Sequence, residues 1–229
     1  MVIYPRIQKI YSEIQKQLFY MIPEKWNKVY LYSSILERAN NLESGELYFY
    51  YVPNGILKKN PVNVYEIPNK FSIKEEEYLR LVDKLYSKIK RLRKLCVEIG
   101  EEKWNTIIIS IADFKFNVEY FYEDSNLSRF SSYEKHLIFR YTYLDYPISS
   151  FNKNERDVIN TYLNEIRKNK PRVYKYSEIM YEMPFETIEI GSKNSNIQFV
   201  KEDDERLLEE KKEFKSQILN PGFNNKLSY

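Results

Sequence analysis

Asp113, Lys115, Glu119 and Glu123 are the residues whose types and spacing could do chemistry in this sequence. Along an extended chain alternate side chains share a face, so Lys115, Glu119 and Glu123 stand together with Asp113 just before them. Carboxylates beside a lysine on a strand can hold a divalent cation and a phosphate, which is the chemistry of a metal-dependent nuclease. No upstream acidic residue with persuasive spacing completes that set. A solvated sheet face accounts for the same residues with fewer assumptions. His136 is the only histidine and has no spaced partner, so it reads as structural. Cys96 falls on the apolar stripe of a helix and reads as a small buried hydrophobe. A zinc site lacks ligands, and there is no glycine-rich phosphate loop. The residues supply no enzyme and call for no cofactor.

The elements that must position these residues follow from periodicity. Ile7, Ile10, Tyr11, Ile14, Leu18 and Met21 repeat at helical spacing up to Pro23. Strands are expected at Lys28 to Ile35, Glu46 to Val52 and residues 62–67, and again at TIIISI. A long amphipathic helix runs from a capping box at Ser72 and Glu75 to Gly100, with Tyr78, Leu81, Val82, Leu85, Ile89, Leu92 and Cys96 on one side. Ser131 with Glu134 starts a shorter helix, and Asn152 or Asn154 caps another over Asp157 to Arg167. The expected fold is α+β: an antiparallel sheet of about five strands packed against flanking helices on one face. Residues 1–169 make the principal domain. Residues 170–229 form a C-terminal extension with a small hairpin at TIEIG and NIQFV and a charged helix over 201–215.

The stretch ADFKFNVEYFYED carries the potential nuclease set and also an aromatic one. Read as a strand, Phe114, Phe116, Val118, Tyr120 and Tyr122 face a core, and Lys115, Asn117, Glu119, Phe121 and Glu123 face away. ELYFYYV repeats the pattern, with Leu47, Phe49 and Tyr51 inward and Glu46, Tyr48 and Tyr50 outward. Outward rings beside carboxylates are interface material, since rings supply contact area and charges select the partner. The expected partner-binding residues are therefore Tyr48, Tyr50, Glu119, Phe121, Glu123 and Asp124. Composition agrees with a contact protein: 22 Tyr and 13 Phe stand beside 2 Trp, and 43% of the residues are hydrophobic and 30% charged. The net charge of +3, from 36 Lys and Arg against 33 Asp and Glu, gives no reason to expect nucleic acid or a membrane surface. A single cysteine and an N-terminus with frequent charges point to the cytoplasm.

In order along the chain, IPEKWNKVYLYSSI, ELYFYYV, YEIPNKFSIKEEEY, WNTIIIS, FKFNVEYFYED and SSYEKHLIFRYTYLDYPIS resemble the YezG-like family of bacterial immunity proteins over about residues 1–165. The resemblance implies a small α/β protein without catalysis that binds and inactivates a cognate secreted toxin, many such toxins being nucleases. Phe139 stands where a Trp is expected, Asp145 where a Gly is usual, and the chain continues past the usual family end.

Overall fold

The computed structural model describes residues 5–37, 43–55, 60–122, 129–169 and 172–180. The first apolar stripe folds as α1 (Pro5–Met21), burying the six residues that periodicity singles out. Two long strands follow, β1 (Trp26–Glu37) and β2 (Glu43–Pro53), in antiparallel register from Lys28↔Val52 to Glu37↔Glu43. The expected third strand is cut to β3 (Val62–Asn63). There Asn63 Oδ1 accepts a hydrogen bond from the Tyr65 amide and turns the chain into a 3-10 turn, then α2 (Ile67–Lys70) with Pro68 in its first turn.

The long helix is α3 (Glu75–Glu98), and its start differs from expectation. Its N-cap is Lys74, which makes no side-chain cap bond, and Ser72 sits at φ +53°, so the Ser72 capping box does not form. Its end does follow expectation. Gly100 at φ +84° donates to the Val97 carbonyl, and Glu101 donates to that of Cys96, the paired bonds of a Schellman stop. Next come β4 (Thr106–Ala112), β5 (Lys115–Phe121), α4 (Ser132–Tyr143), α5 (Lys153–Lys168) and β6 (Val173–Ile179). Both α4 and α5 carry complete capping boxes, Ser131 with Glu134 and Asn152 with Glu155.

The sheet has six antiparallel strands in the order β3-β2-β1-β4-β5-β6, one more than expected. The added strand, β6, pairs with β5 from Phe121↔Val173 to Lys115↔Ile179. The expected hairpin at TIEIG and NIQFV and the charged helix lie outside the described residues.

Helices cover both faces of the sheet, not one. On the first face lie Leu31, Phe49, Ile109 and Val118, which the register brings side by side. This face packs under α1 and α3: the Tyr11 and Tyr120 hydroxyls hydrogen-bond at 2.6 Å, and Tyr86 of α3 donates to the Ser34 carbonyl. The second face carries Tyr48, Tyr32, Ile108 and Glu119 in one row. Over it lies α4, with the Phe139 ring 5.3 Å from that of Tyr48 and 6.0 Å from that of Tyr32. Leu137, Phe151 and Ile159 then lock α5 to α4. Double cover explains why Leu47 through Tyr51 and Thr106 through Ile109 are buried without a break.

Candidate docking surface

Four of the expected docking residues, Tyr48, Tyr50, Glu119 and Phe121, lie on the second face, and all three of their rings are buried. Tyr48 is 0% exposed and stacks on Tyr32 at 4.8 Å, with His136 edge-on at the same distance. The Tyr50 hydroxyl lies 2.7 Å from His136 Nε2, and the Tyr50 ring is 6% exposed. Phe121 is 5% exposed. Tyr48 and Tyr50 form part of the seat of α4, and reaching a partner through them would require α4 to leave the sheet. Burial, with the Arg140 charge nearby, pushes the His136 imidazole down to about 3. It is therefore a neutral core residue at ordinary pH. Cys96 is buried as expected, and burial raises its thiol.

Glu119 occupies the border of this covered region. Its carboxylate accepts from the Tyr143 hydroxyl of α4 and from Lys175 of β6. Burial first, then the Glu119 charge, pushes the Tyr143 hydroxyl well up. A carboxylate engaged this way does not stand free for a cation, and Asp113 sits in the β4–β5 turn at φ +50°. Among the described residues no cluster of three His, Cys, Asp or Glu side chains could hold a metal. Glu123 and Asp124 lie outside the described residues.

In the next row of the second face α4 still covers Tyr50, whereas Tyr30, Ser110, Asn117 and Ser177 are half-buried to exposed. So is the row after it, Lys28, Ala112, Lys115 and Ile179. Lys115 and Asn117 thus face outward as the alternation of the strand requires, while Phe121 of the same face is buried. Burial, then the carboxylates of Asp145 and Asp113, pushes the half-buried Tyr30 hydroxyl up. Asp145 lies in the loop after α4 and Asp113 in the hairpin turn. Asp145 holds φ +54°, the left-handed conformation for which glycine is suited.

Tyr30, Ser110, Ser177 and Lys28 were not legible as a group, because only the register places them in adjoining rows. Ser110 alone carried no signal, since Ser33 and Ser34 interrupt β1 in the same way and are buried.

A second concavity, a groove of about 370 Å³ between α1 and α3, is lined by Arg6, Lys9, Glu13, Arg91, Lys94 and Glu98. Arg91 pairs with Glu13 and Arg6 with Glu98, so much of its charge is satisfied within the seam.

The described residues form an antiparallel sheet packed between helices, with part of its second face left open and polar. Residues 7–160 match the family of YezG-like immunity proteins, and the chain belongs to that family. It is 28% identical over 160 residues to the immunity protein YezG of Bacillus spizizenii, covering 69% of this chain and 94% of that one. The immunity protein YezG of Bacillus subtilis is 22% identical over 160 residues, 69% of this chain and 99% of the relative. The type VII secretion system protein EsaG of Staphylococcus aureus is 26% identical over 166 residues, 71% of this chain and 97% of that protein. No helix among the described residues is long and apolar enough to cross a membrane.

Proposed function

We propose that this chain is the cytoplasmic immunity partner of a cognate secreted toxin, that the toxin is a nuclease, and that neutralisation is by stoichiometric contact without catalysis. The observation that carries this reading is the immunity-protein family match over residues 7–160. The nuclease assignment follows from the family resemblance. The open half of the second face is the proposed docking surface. It combines hydrogen-bonding groups on Tyr30, Ser110 and Asn117 with the charges of Lys28, Lys115, Asp113 and Asp145. Glu119 belongs to its border, and Glu123 and Asp124, which lie outside the described residues, are proposed as partner contacts from the sequence alone. Tyr48 and Tyr50 support it from beneath α4, and Phe121 is buried on the same face.

A protein that must silence a lethal partner needs affinity of nanomolar order, about −12 kcal/mol. An interface of about 1,600 Å² centred on a few anchors can supply it. Co-expression with the toxin encoded beside this gene tests the reading. Cells that carry both are expected to grow, and cells that die as fast with the chain as without it contradict it.

A further inference from the structure

We infer that β6 is a recognition strand: it widens the open half of the second face and, with the β4–β5 turn, presents an apolar corner that selects this chain's own toxin. The inference rests on the docking reading above and names the element that gives it specificity. The family match ends at residue 160, whereas β6 spans Val173–Ile179. Relatives are themselves 94–99% covered by alignments of 160–166 residues. The strand is thus an addition to the family core, and it lies along β5.

One side of β6 has an ordinary structural explanation. Tyr174 and Tyr176 lie on the first face, where the Tyr176 ring stacks on Tyr11 at 5.2 Å and Tyr174 meets Tyr120 at 6.2 Å. Covering the backbone edge of β5 needs no more than that. The other side is left over. Lys175, Ser177 and Ile179 lie on the second face, and Ile179 is 64% exposed.

At the same corner stands Phe114, 58% exposed, whose carbonyl accepts from the Met180 amide at 2.7 Å. Ile179 and Phe114 are the two most exposed large apolar side chains of the described residues. Phe114 also holds φ +57° and its neighbour Asp113 φ +50°, a two-residue hairpin turn that favours Asn-Gly. A bulky residue in that conformation is an outlier that hairpin stability does not explain. An exposed aromatic held against local preference, beside an exposed isoleucine and an open polar sheet, is how an interface anchor is built. The partner it fits is a protein surface with an apolar depression for Phe114 and Ile179, and polar groups to meet Ser177 and Asn117. That surface belongs to the toxin domain and adjoins the docking face without interruption.

The test measures binding of the full chain to the purified toxin domain encoded beside its gene, inactivated by mutation. Ile179→Asp and Ser177→Arg are compared with wild type and with Val97→Asp, a control on the exposed side of α3. Each β6 variant is expected to lose at least tenfold in affinity with an unchanged melting curve, while the control binds as wild type. Should Ile179→Asp lower the melting point, Ser177→Arg decides alone. Wild-type affinity in both β6 variants overturns this inference and leaves the docking reading standing. A wild-type chain that does not bind the toxin domain sinks both.

Discussion

Phe121 and His136 show how far a residue's role depends on what lies above it. Phe121 is 5% exposed, so Phe121→Ala removes a core ring and is expected to cost about 3–5 kcal/mol of folding stability, read by denaturant melts. A variant that melts like wild type would mean the ring is not packed. His136 makes a pH prediction. Its native imidazole resists protonation down to about 3, while the unfolded chain takes the proton near 6.5. The unfolded state then binds more protons, so this stability is complete above about pH 6.5 and is lost as pH falls toward 3, by about 1.4 kcal/mol per unit. Glu46, which burial raises, acts in the opposite sense at acid pH. The diagnostic is therefore the difference between wild type and His136→Gln: the slope between pH 6.5 and 5 flattens in the variant. Equal slopes would contradict a neutral buried imidazole.

At the scale of elements, the hairpin turn makes the clearest prediction. Replacing Asp113-Phe114 by Asn-Gly relieves two left-handed non-glycine residues and is expected to stabilise the fold by about 1–2 kcal/mol. The same change should weaken toxin binding, which calorimetry on the melted-and-checked variant reads. A turn that loses stability instead would show that Phe114 serves the fold. Most elements were legible because their signals are local: the stripes of α1 and α3, the Gly100 stop and the boxes at Ser131 and Asn152. The misses were non-local. Ser72 and Glu75 have capping-box spacing, but the chain enters α3 from Lys74 with Ser72 left-handed. VNVYEI suggested a full third strand at 62–67, where Asn63 captures the Tyr65 amide and Pro68 opens a helix. The alternation of VYKYSEI is a strand pattern, but its partner β5 is remote in sequence and only pairing reveals the match.

Over the whole molecule, the misplaced layer governed the site. LYFYY and the Ile107–Ile109 triplet are unbroken apolar runs, the mark of strands buried on both faces, yet period-two alternation divides them into an inside and an outside. With Tyr48 and Tyr50 under α4 and Phe121 buried, the surface left open lies further along the same face at Tyr30, Asn117 and Lys115. Alternation divided the sheet into two faces, and helix packing decided which half of the second is open. Family membership supplies the function class, and the open half is the place proposed for it. The most direct measurement is a titration of the neighbouring toxin's activity with purified full-length chain. Activity should fall in proportion to added protein and reach zero at one equivalent, without turnover. Toxin that stays active in excess chain, or is silenced by a small fraction of an equivalent, would contradict inhibition by stoichiometric contact.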